Sequence, residues 1–421
     1  KLLYNLTKNQ PFGYETSATY NLGNTYKPKE LLRAQAFNAI ANSGAFIFID
    51  SIDPIGTINP AVYKTMGEIF SETKAYDSYL GGKLCQDVGV YLSTESKFYP
   101  QNNAVADNVS TNAVHEPLPH AENVINTIES LIEYNIPYGV ITKQNLNDLC
   151  KYKIIILPNV IMMNEAEVQA LRKYAAHGGC LYASKYTSLF SSEDGTIKGN
   201  FQLGDVLGIK YKGETKEKMT FIAPTKTGAK YMPSFSQKYP VSIVGSQIII
   251  EADKDSKVLG TITLPYTDPA DPSRFASIHC NPPGKQTDDP AIISRKFGRG
   301  RCVYVAADLE NQQYHRRTFI NLLLSMYNKF TFESDAPKPV EIIAFEQPEQ
   351  NRYMVNLLNF QNTVPPLAVE NIHIKMNVKS RDVKKVSFAV NKQKLKFRKT
   401  GAAIEFTVPC LELFAMIVIE Y

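Results

Sequence analysis

The chain has 421 residues, of which 44% are hydrophobic and 21% are charged, and 46 Lys and Arg against 41 Asp and Glu give a formal net charge of +5. This composition is ordinary for a globular protein, and the length predicts roughly two to four domains. Basic residues are spread along the chain, so no nucleic-acid partner is expected. No apolar run approaches the ~18 residues of a membrane-spanning helix, so no membrane partner is expected either.

The six cysteines are scattered, and none of them forms a CxxC pair. Their spacing therefore indicates neither a zinc site nor the disulfide framework of a small secreted domain. His115 and His120 flank Glu116 in a proline-rich segment, but no third metal ligand accompanies them, so a loop leading into a helix is the simpler interpretation. We expect no metal and no cofactor.

Residues 1–83 form the first predicted domain. A helix is predicted over 28–42, because proline suits the first helical turn and apolar residues then recur with the helical period. An apolar strand follows at 45–49, and a second helix begins at Pro60. Strands and helices in alternation, with carboxylates after a strand, are typical of the last turns of a (β/α)8 barrel. A whole barrel needs roughly 250 residues, so we expect the end of one here.

Residues 84–332 form the second predicted domain, in which strands and helices alternate. The predicted strands are 87–93, 137–142, 153–158, 180–184 and 302–307, and the predicted helices are 121–134, 145–150, 164–177 and 313–327. Continuously apolar strands indicate a doubly wound parallel sheet covered on both faces, so this part of the chain is assigned to the α/β class. Alternating polar and apolar residues within 200–290 predict an inserted antiparallel patch.

Residues 337–421 form the third predicted domain, which is all-β. It contains seven short runs of alternating polar and apolar residues at 340–346, 352–359, 372–376, 383–390, 395–398, 403–408 and 413–419. Runs of this length at regular spacing predict a small β-sandwich.

Four segments near the start of the chain occur in a recognisable order. They are Gly13-Tyr14-Glu15-Thr16-Ser17, Tyr26-Lys27-Pro28-Lys29-Glu30-Leu31-Leu32, Ala41-Asn42-Ser43-Gly44 and Gly56-Thr57-Ile58. Together they resemble the carboxyl-terminal part of the α-L-fucosidase barrel. Tyr14 stands where that family has a tryptophan, Ala45 where it has an asparagine, and Ile55 where it has an aspartate. The resemblance therefore implies a fucosidase-related protein with an altered sugar subsite.

Further segments resemble the middle domain of trimeric β-galactosidases. They are residues 88–93, 152–158, 175–179 and 298–307. That domain has a glutamine-amidotransferase-like fold without amidotransferase chemistry, and it builds the trimer; a final β-domain follows it in such enzymes. The resemblance implies a bacterial glycoside-hydrolase-like protein of the cytoplasm or periplasm. It also implies a homotrimer that acts on a glycoside, an oligosaccharide or a polysaccharide.

The resemblance assigns Glu15 to the general acid/base of the fucosidase-like enzymes. Glycoside hydrolysis needs two carboxyl groups, one that protonates the leaving oxygen and one that attacks or activates water. The family's nucleophile lies well upstream, so we expect it outside this chain. The alternative for Glu15 is a structural carboxylate that binds a loop amide.

Four more residues are candidates for sugar binding. Asp50 and Asp53 follow a strand at the carboxyl-terminal face of the barrel, where the active sites of barrel enzymes lie. An aspartate before proline more often caps a loop, however. Tyr14 and Tyr20 are candidates for the wall of the sugar pocket, or are core aromatics. An amidotransferase site is not expected, because Cys180 precedes its strand and Cys150 ends a helix, whereas that nucleophile sits on a turn after a strand.

The sequence thus predicts a glycoside hydrolase of the fucosidase or galactosidase type, or a part of one. A non-catalytic module for oligomerisation and carbohydrate interaction is the first alternative. A glycosidase relative whose catalytic pair has been lost is the second.

Overall fold

A computed structural model describes residues 1–7, 12–20, 25–52, 54–98, 119–197, 199–268, 270–276 and 280–421. These residues form two units. One unit comprises residues 1–86, 131–137 and 330–421, and the other comprises residues 87–130 and 138–329. The finer division into three domains stays a prediction.

The helices and strands are named here in chain order. The α-helices are α1 (Leu2–Leu6), α2 (Lys29–Ala41), α3 (Pro60–Thr73), α4 (Thr94–Lys97), α5 (Pro119–Glu133), α6 (Glu165–Ala176), α7 (Gly204–Leu207) and α8 (Arg316–Met326). The first strands are β1 (Gly13–Ser17), β2 (Thr19–Tyr20), β3 (Thr25–Tyr26), β4 (Ala45–Ile49), β5 (Lys83–Leu84), β6 (Val88–Tyr91), β7 (Tyr138–Ile141), β8 (Ile154–Leu157), β9 (Met162–Met163), β10 (Cys180–Ser184), β11 (Phe190–Ser191), β12 (Ile209–Glu214) and β13 (Met219–Pro224). The remaining strands are β14 (Val241–Val244), β15 (Ile248–Ala252), β16 (Lys257–Pro265), β17 (Pro283–Phe297), β18 (Gly300–Val305), β19 (Phe332–Ser334), β20 (Val340–Gln347), β21 (Arg352–Asn359), β22 (Val369–Asn377), β23 (Lys385–Phe388), β24 (Phe397–Thr400), β25 (Ala403–Leu411) and β26 (Phe414–Glu420).

After α1, the first unit has two parallel strands, β1 and β4, that are covered on one face by helices α2 and α3. Phe46 and Phe48 of β4 pack on Leu32, Ala36 and Ile69 of α2 and α3. The Phe46 ring stacks on Phe70 with ring centres 4.8 Å apart. The helix predicted over 28–42 is α2, and the strand predicted at 45–49 is β4. Burial of the helix-facing side of β4 explains why its apolar sequence forms a strand here.

The same unit ends in two antiparallel sheets that share a core. The five-stranded sheet has the order β23-β26-β21-β20-β5, and the four-stranded sheet has the order β19-β22-β25-β24. Their inner side chains, among them Ile342, Val355, Ile374 and Phe406, form one buried cluster. Each of the seven predicted runs overlaps one of the strands β20 to β26, and the fifth run begins two residues before β24.

The second unit is built on a nine-stranded sheet with the order β14-β13-β16-β17-β18-β10-β8-β6-β7. Strands β18, β10, β8, β6 and β7 are parallel to their neighbours in this series, whereas β14, β13, β16 and β17 pair antiparallel. The inserted antiparallel patch therefore extends the parallel sheet. Helices cover both faces: Leu171 of α6 shares a core with Leu181, and Phe319 of α8 contacts the ring of Tyr182 on the other face.

Two predicted helices differ in detail from the structure. The segment predicted as a helix over 145–150 is a 3-10 helix, Lys143–Lys151, because Thr142 and Asn145 form a capping box that starts it earlier. The helix predicted over 313–327 begins as an α-helix only at Arg316, since Gln312 and His315 turn toward strand β14.

Candidate functional site

Glu15 lies in the middle of β1, on the face of the two-stranded sheet that the helices leave uncovered. It pairs with Ile47 of β4. Side chains alternate between the two faces of a strand, so Glu15, Ile47 and Ile49 share the uncovered face. Ile47 is 48% exposed and Ile49 is 46% exposed. The exposed Glu15 carboxylate binds no loop amide and makes no ion pair within the described ranges.

The two candidate tyrosines do not share this face with Glu15. Tyr14 is half-buried and pairs with Phe46 on the helix-covered side. Tyr20 is exposed at the end of the short strand β2, and the Lys27 ammonium lies 5.9 Å from the centre of its ring. The sheet thus separates Tyr14 from Glu15.

Asp50 follows β4 directly and carries a buried carboxylate. Neither of its oxygens has a hydrogen-bond partner among the described residues. At the same end of the sheet, the Ala18 amide donates to the Ile49 carbonyl at 2.7 Å. An uncompensated buried carboxylate is costly, which is typical of a group held for a ligand. Asp53 lies outside the described residues.

Lys27 was not predicted from the sequence as a site residue. Its ammonium donates to the Thr16 hydroxyl at 3.3 Å, and its amide donates to the Ala18 carbonyl at 2.9 Å. Partial burial lowers the pKa of Lys27. A cation therefore stands on the helix-covered side of β1, beside the strand end that Asp50 follows. Only the position of Lys27 next to Tyr26 and Pro28 in the fucosidase-like segment could have drawn attention to it.

A second group of polar side chains, also missed by sequence reasoning, lies at the carboxyl ends of β10 and β18. Glu310 is fully buried and accepts hydrogen bonds from Asn123 Nδ2 at 2.7 Å, Tyr182 OH at 3.0 Å and Ser184 Oγ at 2.5 Å. Burial outweighs these donors and raises the pKa of Glu310 to about 7. The donors come from a helix and a strand far apart in sequence, so no local motif marks them.

His120 is a structural residue of the second unit. Its Nε2 accepts from the Ser93 amide at 2.9 Å, so its Nδ1 is the nitrogen that donates to the Pro158 carbonyl, also at 2.9 Å. Burial lowers the pKa of His120 to about 4, which keeps the ring neutral. His115 lies outside the described residues. Within the described ranges, no three His, Cys, Asp or Glu side chains converge as metal ligands.

Cys180 and Cys150 lie where the sequence places them, at the start of a strand and near the end of a helix, whereas Cys280 and Cys410 are exposed. Cys180 is buried at the amino end of β10, and burial raises the pKa of its thiol. Cys150 is exposed in the 3-10 helix. Neither thiol lies at the carboxyl edge where Glu310 and Ser184 meet. Among the helices that the structure describes, none is long and apolar enough to cross a membrane.

Known proteins similar to this chain are glycosidases by name. Beta-galactosidase BgaB of Geobacillus sp. is 25% identical over 229 residues, which are 49% of this chain and 33% of that protein. The structure of alpha-L-fucosidase isoenzyme 2 from Paenibacillus thiaminolyticus has a TM-score of 0.76 at 19% identity, covering 97% of this chain and 60% of the other. A beta-galactosidase from Bacillus circulans sp. alkalophilus has a TM-score of 0.67 at 17% identity, covering 97% and 55%.

These similarities define the fold, and they confirm the resemblance stated above. The chain has the mixed α/β architecture of the fucosidase and β-galactosidase structures. It spans about a third of the length of BgaB. A family model described as the beta-galactosidase trimerisation domain matches residues 98–325, more than half of the chain. The chain therefore belongs to the beta-galactosidase trimerisation domain family.

Proposed function

We propose that this chain is part of a glycoside hydrolase of the fucosidase or galactosidase type. In this proposal residues 1–83 are the end of a (β/α)8 barrel, residues 84–332 are the amidotransferase-like assembly domain, and residues 337–421 are a β-sandwich domain. The substrate is a glycoside, an oligosaccharide or a polysaccharide. The glycosidase names of its relatives and of its structural neighbours support this reading.

The observation that carries the proposal is the position of Glu15 on an uncovered face. In a (β/α)8 barrel each strand turns alternate side chains toward the helices and toward the barrel interior. Phe46 and Phe48 take the helix side, so Glu15, Ile47 and Ile49 take the interior side. Further barrel strands would cover the two isoleucines and enclose the carboxylate.

In the enclosed barrel Glu15 is the general acid/base. It protonates the leaving oxygen while the second carboxylate attacks the sugar, which breaks the glycosidic bond and forms a glycosylated enzyme. It then removes a proton from the water that displaces this carboxylate and releases the sugar. The second carboxyl group comes from outside this chain, since the other interior-side residues of β1 and β4 are Gly13, Ser17, Ala45, Ile47 and Ile49.

Sugar hydroxyls are held by residues near the strand ends. Asp50 accepts hydrogen bonds through oxygens that lack protein partners, and Tyr20 offers an exposed ring face to a sugar. Asp53 completes the proposed subsite, whereas Tyr14, on the helix-covered side of the sheet, packs behind it as a core aromatic without contacting the sugar. Lys27 adds positive charge on that same side.

The proposed assembly is a homotrimer of a cytoplasmic or periplasmic bacterial protein. The match of residues 98–325 to a trimerisation domain supports it. The same match favours the second candidate function, a non-catalytic module that oligomerises and contacts carbohydrate.

Hydrolysis of aryl α-L-fucosides and aryl β-D-galactosides by the full gene product that contains this chain separates the two functions. Release of the aryl alcohol, reduced by about 10²- to 10⁴-fold in Glu15→Gln, supports the hydrolase. The matched control is Glu370→Gln, an exposed carboxylate of β22, which should leave the rate unchanged. An equal rate in Glu15→Gln and the wild type contradicts the role of Glu15, and no turnover by the wild type favours the non-catalytic module.

A further inference from the structure

We propose that Tyr239, Val244 and Tyr314 form a contact surface for a second copy of this chain. We call these three residues the Tyr314 patch. The inference rests on the assembly role in the proposed function and adds to it the surface through which one copy holds the next.

The patch is unusual because its apolar side chains are so exposed. Tyr314 is 93% exposed, Val244 is 75% exposed and Tyr239 is 68% exposed. Single exposed apolar residues are common, but several on one surface mark a binding site. Tyrosine is also enriched among the residues that dominate interface energies.

Contacts beneath the patch hold its three segments together. The Val244 amide donates to Gln312 Oε1 at 3.1 Å, and Ser242 Oγ and His315 Nε2 share a hydrogen bond of 2.9 Å. These two bonds join β14 to the short 3-10 helix that carries Tyr314.

Tyr239 is tied to the same framework through Phe235. The Phe235 ring meets the His315 ring edge-on, with centres 5.2 Å apart. Ser236 and Tyr239 close the following turn, since the Ser236 amide donates to the Tyr239 carbonyl at 3.0 Å and the Tyr239 amide donates to Ser236 Oγ at 3.1 Å. The patch is therefore pre-organised, which lowers the entropic cost of binding.

The patch lies at an edge of the nine-stranded sheet, yet the edge itself is closed at this point. Strand β14 is the last strand of the sheet, and an exposed edge strand invites pairing with another strand. The Val244 amide already donates its hydrogen bond to Gln312 Oε1, so it is not free to pair with another strand. A partner therefore binds through side-chain contacts with the tyrosines and Val244, and not by adding a strand.

The occupant is a second copy because the patch lies inside residues 98–325, the segment that matches a trimerisation domain. In a closed threefold ring each interface joins two different surfaces, so the Tyr314 patch of one copy meets another surface of the next. One substitution in the patch then weakens all three interfaces at once.

Light scattering of the full gene product that contains this chain, over a dilution series, tests the proposal. The wild type should have three times the mass of one subunit. Tyr314→Asp and Val244→Asp should each raise the concentration at which the trimer dissociates by more than about tenfold, because a charge at the centre of an interface must be desolvated. Far-UV circular dichroism confirms that the variants are folded, and Tyr314→Ala provides a milder change in the same direction.

The matched control is Phe275→Asp, since Phe275 is 77% exposed in the same unit but lies outside the patch. It should leave the mass and the dilution behaviour unchanged. If folded patch variants stay trimeric, or if the control dissociates equally, the Tyr314 patch is not the contact surface. The assembly role itself would not be contradicted by that result. A monomeric wild type refutes the assembly role on which the patch rests.

Discussion

Glu15 and Ile47 lie side by side on the uncovered face of the β1–β4 pair, in direct register. Together with the half-exposed Ile49, the pair puts a carboxylate and two isoleucines on one face, which fits the wall of a barrel lined by alternate side chains. The face of β4 that carries Ile47 is therefore the same face on which Glu15 of β1 is proposed to act.

Replacing Asp50 by asparagine should change stability and activity in opposite directions. The substitution removes a buried negative charge that has no partner among the described residues, so we expect the free energy of unfolding to stay level or rise by about 1 kcal/mol. If Asp50 binds a sugar hydroxyl, the KM for an aryl glycoside should rise in the same variant. Urea unfolding and steady-state kinetics measure the two effects, and a clear loss of stability would show that Asp50 has a structural role.

Glu310 should make the second unit less stable as the pH rises. Its pKa is about 7 in the folded chain against an ordinary value of 4.5, so the folded state binds the proton more tightly. The stabilisation is present below about pH 4.5 and is lost as the pH rises through 7. The free energy of unfolding at high pH should be lower than at low pH by about 3 kcal/mol, the free energy that corresponds to this pKa difference. Glu310→Gln should remove this part of the pH dependence, as measured by urea unfolding at pH 5 and pH 8. Glu193→Gln, an exposed carboxylate of the same unit, is the control and should behave as the wild type.

His120 should have the opposite pH dependence. Its pKa is lowered to about 4 in the folded chain from an ordinary 6.5, so the unfolded state binds the proton more tightly. The contribution of neutral His120 to the free energy of unfolding is therefore fully present above about pH 6.5 and is lost as the pH falls toward 4. His120→Ala should lower the free energy of unfolding by about 2–4 kcal/mol at pH 7, because the Ser93 amide and the Pro158 carbonyl lose their buried partner. A variant as stable as the wild type would contradict this role.

Gly300 should not tolerate a methyl group. A Cβ there would lie 2.2 Å from the Gly179 carbonyl oxygen and 2.3 Å from the Ala175 carbonyl oxygen, both of them backbone atoms. Gly300→Ala should therefore destabilise the second unit by about 2 kcal/mol or more. Gly67→Ala is the control: Gly67 lies in α3, and apart from its own helix backbone and chain neighbours no described atom lies within 4 Å of the added carbon, so alanine should raise the free energy of unfolding by about 0.5–1 kcal/mol. Thermal unfolding of both variants checks the contrast.

The fold was largely predictable because its elements have strong local patterns. The continuous apolar run of β8 and the alternating runs of β20 to β26 have a clear period, and the structure forms strands there. The start of α8 was not predictable, since it depends on Gln312 and His315 reaching β14 from a distance along the chain.

The candidate site was predictable only in part. Glu15 follows from the fucosidase-like segments and Asp50 from its position after an apolar strand, but their roles stay predictions. Adjacent residues of a strand point to opposite faces of the sheet. The sequence alone therefore predicts that Tyr14 and Glu15 lie on different faces. The Glu310 cluster depends on tertiary contacts between α5, β10 and the segment after β18, so the hydrophobic periodicity of the sequence does not predict it.

The role of Glu15 is tested most directly by comparing two leaving groups in Glu15→Gln of the full gene product. A general acid is needed for a poor leaving group and hardly needed for a good one. We expect Glu15→Gln to slow cleavage of a 4-methylphenyl glycoside by about 10²-fold or more, while cleavage of the corresponding 2,4-dinitrophenyl glycoside to the glycosylated enzyme falls far less. Equal losses for both substrates, or no loss for either, would contradict the assignment of Glu15 as the acid.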